Sequence, residues 1–247
     1  RFAPGELGLS LGMLGGFALL FTFWTQSLAG EARRDWIPAQ AAGLLVPFLF
    51  LANFGARVDL GPHLLPIAIL LALLLGAAGW VGRSPDTSWM PVPAAAGVLG
   101  VAGLWIVRNV TTAAAAWETA ALCFLLAGLA HLFSERDRAR TPVAPSATAA
   151  VILSAGLYFV SLAPAAMRPV TGGWPWLALW LGLAALLWRQ STVPGIERLS
   201  LVPAAGFGAG MLVLTVRYPG GSFAGLPTIL GLQTFIALLF GLHARAR

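Results

Sequence analysis

Few residues of this chain could take part in chemistry, because ionisable side chains are scarce inside its long apolar runs. Glu118 is the acidic residue that lies well within such a run. A carboxylate in that position is costly unless it faces the protein interior and has a partner. Arg108 lies across a short predicted turn, so we expect an Arg108–Glu118 ion pair. A proton or cation site, or a carboxylate that reaches water, are the alternatives.

Asn53 is a polar residue in a second apolar run, and Pro47 precedes it in the same run. Proline frees backbone carbonyls and kinks a helix, and the Asn53 amide could satisfy such carbonyls or bond a neighbouring helix. Asn53 could instead line a substrate or ion path together with Glu118 and Arg108. The sequence leaves both interpretations open.

Two histidines, His131 and His243, occupy matching places near one predicted membrane face. A histidine that faces a cavity could bind haem or a pigment, but single interfacial histidines are more often structural. Cys123 is the only cysteine, which excludes an intrachain disulfide and a multi-cysteine metal site. Because HExxH and Walker motifs are also absent, we expect no cofactor and no metal, and the pattern argues against an enzyme.

The overall composition identifies the environment of these residues. Of the 247 residues, 58% are hydrophobic and only 10% are charged, with a mean hydropathy of +0.83. Soluble domains carry about a quarter charged residues. The composition therefore indicates an integral membrane protein in contact with the lipid bilayer. It argues against a soluble enzyme and a nucleic-acid-binding module.

The apolar runs predict an all-α polytopic bundle of about nine transmembrane helices, since each run approaches the ~20 residues that a spanning helix needs. They show no period-2 alternation and are too long for strands of a membrane barrel. The predicted spans are Leu7–Ala29, Trp36–Ala56, Leu64–Val81, Met90–Val107, Thr111–Phe133, Ala147–Met167, Gly173–Trp188, Leu201–Val216 and Phe223–Leu242.

The arginines predict the orientation of these helices. All fifteen basic residues are arginine. With nine spans, five fall on one side and ten on the other, and the richer side is expected to be cytoplasmic. This places the N-terminus outside and the C-terminus inside, in what the composition suggests is a bacterial inner membrane. Tryptophans near the span ends predict an aromatic belt; they are Trp36, Trp80, Trp89, Trp105, Trp174, Trp176 and Trp188.

Polar and proline landmarks recur along the chain and predict an internal repeat. The segment from Glu31 to Pro38 parallels that from Glu135 to Pro142, and Val92-Pro93-Ala94-Ala95 parallels Val202-Pro203-Ala204-Ala205. We therefore predict a four-helix repeat over 1–110, a second copy over 111–222, and a ninth helix over 223–247 as the possible start of a third. An even number of helices per unit makes the repeat parallel rather than inverted.

Rows of small residues predict close helix packing. Gly8, Gly12 and Gly16 are spaced four residues apart in the first span, and Gly206 and Gly210 have the same spacing in the eighth. Such rows allow helix backbones to approach closely, either within the chain or against a partner. Packing within the chain is the simpler interpretation. Of the two rows, the first is favoured as a contact with other membrane protein subunits or a second copy, since it lies on a terminal helix.

Together these features favour a non-enzymatic scaffold or accessory subunit of a larger membrane assembly. Ligand sites are usually built from convergent polar groups, and few are visible inside the spans. The alternative is a transporter, or a component for lipid or glycan export, with a path between the two repeats.

Overall fold

The structure, a computed structural model, describes residues 4–28, 34–57, 63–137, 145–162 and 174–192, with further helical positions at 202, 205, 206, 231, 234, 235, 237–239, 241, 242 and 245. The elements of these residues are all helical, which confirms the predicted all-α class. A helix satisfies its own backbone hydrogen bonds, as a chain in lipid requires.

Seven α-helices are described. Their ends lie within a few residues of the ends of the predicted spans, except at the C-terminal ends of α5 and α6. They are α1 (Pro4–Ser27), α2 (Ile37–Gly55), α3 (Leu65–Val81), α4 (Pro91–Asn109), α5 (Ala113–Asp137), α6 (Pro145–Val160) and α7 (Trp174–Ser191), and a 3₁₀ turn (Pro85–Thr87) precedes α4. Helices α2, α3 and α4 each have a proline in the first turn. Proline is suited to this position because the first N–H groups of a helix have no acceptor within the helix. The eighth and ninth predicted spans lie largely outside the described residues, so nine helices and the repeat stay predictions.

Four segments have the length and hydropathy to cross a membrane, which fits an integral membrane protein that contacts lipid. They are Glu6–Ser27, Ile37–Gly55, Pro85–Asn109 and Ala113–Asp137. The apolar helices α3 and α6 are shorter. Helix α7 ends in Arg189, Gln190 and Ser191, and these polar residues lower its mean hydropathy.

The described helices pack in two rows, because each helix contacts the helix two places further along the chain. Helices α1, α3, α5 and α7 form one row, and α2, α4 and α6 form the other. Within a row the helices are parallel: Gly79 near the end of α3 faces Phe133 near the end of α5, and the start of α3 bonds the first half of α5. Two connectors are fully described, 82–90 between α3 and α4 and 110–112 between α4 and α5, and each leads from one row to the other.

Glycines allow close approach within these rows. A Cβ at Gly97 of α4 would lie 2.6 Å from Phe48 of α2, and one at Gly182 of α7 would lie 2.7 Å from Phe124 of α5. Gly156 of α6 likewise receives the side chain of Leu99. In each case a bulky side chain of one helix fills the space above a glycine of its neighbour.

For two tryptophans, the predicted position in an aromatic belt was wrong. Trp105 and Trp176 are fully buried, at 0% exposure, and form part of the core. Trp36, Trp80, Trp89 and Trp174 are exposed, as residues at a membrane interface should be. Hydropathy locates a residue along the membrane normal, but it does not say which face of the helix the side chain occupies.

Candidate functional site

Helix α5 positions most of the polar residues that could form a site. It begins after Thr112, whose Oγ1 accepts a hydrogen bond from the N–H of Ala115, as N-terminal capping requires. The helix then carries Glu118 in its second turn, and His131 and Glu135 towards its C-terminal end. Since it contacts α3, α6 and α7, each of these residues meets a different neighbour.

Glu118 pairs with the start of α3, and the expected Arg108–Glu118 pair was wrong. Its Oε2 lies 2.9 Å from Nδ1 of His63, and its Oε1 accepts a hydrogen bond from the N–H of Leu65 at 3.2 Å. The His63 side chain is 75% exposed and that of Glu118 is 27% exposed. Arg108 is exposed and forms no ion pair with Glu118.

The physical reason for this pairing lies in α3. Its N-cap residue is Leu64, and a leucine side chain has no atom that can accept a hydrogen bond from a backbone N–H. Because α3 and α5 are parallel neighbours, Glu118 reaches that N-terminus and supplies the missing acceptor. A carboxylate is also favoured at the positive end of a helix dipole. In the sequence, the absence of a capping side chain before Pro66 could have indicated that a residue from another helix caps α3.

Within the described residues, no hydrogen bond or ion pair joins the side chains of Asn53 or Arg108 to Glu118, and their role as path residues stays a prediction. The Asn53 side chain is exposed near the end of α2 and makes no hydrogen bond within the described part of the chain, while Arg108 is exposed at the end of α4. Asn109, next to Arg108, makes the hydrogen bond between helices that was considered for Asn53. Its Nδ2 donates to the carbonyl of Gly55 at 2.9 Å, and the sequence did not indicate this contact. This buried bond ties the C-terminal ends of α2 and α4.

Buried polar bonds hold α5 to α6 and α7. His131 Nε2 lies 2.9 Å from Ser154 Oγ of α6. Gln190 Nε2 of α7 donates to Ser134 Oγ at 2.8 Å. These bonds are typical of interhelical packing in membranes.

Nε2 of His131 contacts Ser154 and the residue is almost fully buried, and both features are typical of a structural histidine. Its proposed counterpart, His243, lies outside the described residues. Within the described ranges, no group of three or more His, Cys, Asp or Glu side chains is arranged to hold a metal ion.

An apolar groove of about 730 Å³ runs along α5 and is bordered by α3 and α7. Its walls are mostly leucine and alanine, including Ala68 of α3 and Leu129 of α5. Gly128 is part of the lining, and a Cβ there would have no atom of the described residues within 4 Å, so the missing side chain leaves space. His131, Glu135 and Arg189 are the polar residues of the lining.

Arg189 and Glu135 form an ion pair at one end of this groove. Arg189 Nε of α7 donates to Glu135 Oε1 of α5 at 3.1 Å. The Arg189 side chain is 69% exposed and that of Glu135 is 25% exposed. The sequence reasoning missed this pair, because nothing in it showed that the ends of α5 and α7 lie side by side.

The two predicted glycine rows lie in different surroundings. Gly8, Gly12 and Gly16 are exposed on α1, and a Cβ at any of them would have no atom of the described residues within 4 Å. Gly206 is buried and receives the ring of Tyr158 of α6, so it packs within the chain. Gly210 lies outside the described residues.

Comparison of the chain with protein-family models, with curated proteins and with solved structures gives no match. The geometry of the described helices is therefore the basis for assigning a function.

Proposed function

We propose that this protein is a non-enzymatic accessory subunit of a larger membrane assembly, and that α1 binds a transmembrane helix of another membrane protein. The observation that carries the proposal is the open glycine face of α1, formed by Gly8, Gly12 and Gly16. Only 22% of the α1 span is buried within the chain, against 39%, 44% and 56% for the other three long spans. Helix α1 is thus the least covered of the four.

Glycine packing elsewhere in the chain supports the choice of occupant. Gly97, Gly182 and Gly156 each receive a phenylalanine or leucine from a neighbouring helix. The glycines of α1 leave the same kind of space, and no described side chain fills it. A helix of another protein could fill this face with bulky side chains, as phenylalanine and leucine fill the glycines named above. Two identical helices can also pair through rows of small residues, and the crosslinking experiment below distinguishes the two occupants.

The intramembrane polar groups support a role without chemistry. His131, Gln190 and Asn109 each bond a neighbouring helix rather than converging on one cavity. A transport path lined by Glu118, Arg108 and Asn53 stays the alternative prediction, and no distance in the described helices favours it.

Cysteine crosslinking in native membranes tests the proposal. Cys123 is the only cysteine and is buried, so a Cys123→Ala background leaves no native thiol. Gly16→Cys then places one thiol on the open face, and Gly100→Cys, on an exposed part of α4, is the matched control. We expect Gly16→Cys to crosslink to one membrane protein at fixed stoichiometry and Gly100→Cys not to do so. A crosslinked dimer of this chain alone, or equal adducts from both positions, would contradict the proposal.

A further inference from the structure

The groove between α3, α5 and α7 has a shape that suits one lipid chain. Its lining residues on α5 run from Leu122 to Glu135, a distance of about 20 Å at 1.5 Å per residue. One leaflet of the hydrocarbon core is roughly half of 30 Å thick. The groove is therefore long enough for an acyl chain and for the start of a headgroup.

The polar end of the groove lies where a headgroup would be. Helix α5 has 25 residues, or about 37 Å, which exceeds the thickness of the hydrocarbon core. Glu135 is close to its C-terminal end, so the Arg189–Glu135 pair is expected at the level of the lipid phosphates. His131 lies one turn deeper and is held by Ser154.

Arg189 has donors left for an anion. A guanidinium carries five N–H groups in a rigid fork that matches phosphate oxygens. One of them, on Nε, is used by Glu135, and the side chain is largely exposed. Glu135 thus holds the guanidinium through Nε, and within the described residues the Nη groups make no hydrogen bond or ion pair.

From the apolar groove and this oriented cation, we propose a binding site for a glycerophospholipid. One acyl chain lies in the groove over Gly128, and the phosphodiester accepts hydrogen bonds from Arg189. The site lies on α5 and α7 and does not depend on the partner face of α1.

Native mass spectrometry of the delipidated protein in detergent, titrated with dioleoyl phosphatidylglycerol, tests the site. We expect one lipid to bind more tightly than any further lipid. Arg189→Gln should weaken this first binding about tenfold or more, as the loss of charge-assisted hydrogen bonds predicts. Arg136→Gln removes an equal charge from the neighbouring exposed position of α5 and should leave the affinity within about twofold. Equal losses from both variants would mean general attraction to a basic surface and would overturn the proposal.

A second pair of variants tests the groove. Gly128→Leu should abolish the tight binding, because the leucine side chain fills the space above Gly128. Gly100→Leu should not, since Gly100 is an equally open position that lies outside the groove. If Gly128→Leu does not fold, Leu132→Trp, at an exposed position of the lining, fills the same space. Unchanged binding in the folded groove variant would contradict the site. Equally tight binding of oleic acid, with the same dependence on Arg189, would refute recognition of a phosphodiester.

Discussion

His131 illustrates the role of buried polar residues in this bundle. Its ring is almost fully buried and bonds Ser154 on a neighbouring helix. Gln190 does the same with Ser134. In a membrane such bonds are each worth roughly 0.6 kcal/mol and at most about 2 kcal/mol, so they select a helix arrangement more than they drive folding.

Ser154→Ala should lower the free energy of unfolding in detergent by about 1 kcal/mol, because it removes the partner of His131 Nε2. Ser146→Ala, on the same helix, is the matched control. Ser146 Oγ is buried and has no hydrogen-bond partner among the described residues, so its removal should be neutral or slightly stabilising. Equal effects of the two variants would show that the His131–Ser154 bond contributes nothing specific.

Glu118→Gln should be tolerated, because an amide oxygen can still accept the N–H of Leu65. The ion pair it loses involves the exposed His63, and exposed pairs contribute about 1 kcal/mol or less. Glu118→Ala removes both interactions and should destabilise α3 more. Thermal unfolding in detergent compares the two variants. A loss of stability in Glu118→Gln as large as in Glu118→Ala would show that the charge, and not the capping acceptor, matters most.

At the scale of elements, the glycines decide how closely the rows pack. Gly97 and Gly100 are one turn apart on α4 but face different surroundings. A Cβ on Gly97 would meet the ring of Phe48, whereas one on Gly100 would meet no atom of the described residues within 4 Å. The same residue type therefore sets an interhelical distance at one position and is dispensable at the other.

Gly97→Ala should destabilise the protein by about 1–3 kcal/mol through overpacking between α2 and α4. Gly100→Ala should leave its stability unchanged or raise it, since alanine is the better helix former. Equilibrium unfolding of both variants in detergent measures the difference. Equal stability of the two would show that α2 and α4 are not in close contact.

The helix positions could be predicted from the sequence, but most pairings between helices could not. Hydropathy is a local property, and it placed α3 and α4 within two residues of their ends. Helix α5 continues beyond its predicted end at Phe133, because Glu135 and Arg136 are good helix formers that suit the polar interface. The Glu118–His63 pair and the groove depend on the packing of α3 beside α5, which no hydropathy pattern specifies.

At the scale of the whole molecule, two rows of helices leave α1 at one edge of the described bundle. An edge helix in lipid is sufficiently solvated by acyl chains, so exposure alone does not call for a partner. The row of three open glycines adds to that exposure, because Gly97, Gly156 and Gly182 elsewhere in the described bundle each receive a bulky side chain from a neighbouring helix. We therefore expect this face of α1 to hold a helix of another protein.

The most direct test of that contact is quantitative mass spectrometry of proteins that co-purify from native membranes in a gentle detergent. The wild type, Gly12→Leu and the control Gly100→Leu are compared at equal abundance. Both positions are exposed and open, so neither variant should unfold the chain. We predict one stoichiometric membrane partner that is retained by Gly100→Leu and reduced at least about tenfold by Gly12→Leu, a loss of roughly 1.4 kcal/mol of binding free energy. A wild-type protein that purifies without a stoichiometric partner, or a partner that Gly12→Leu retains, would contradict the proposed role of α1.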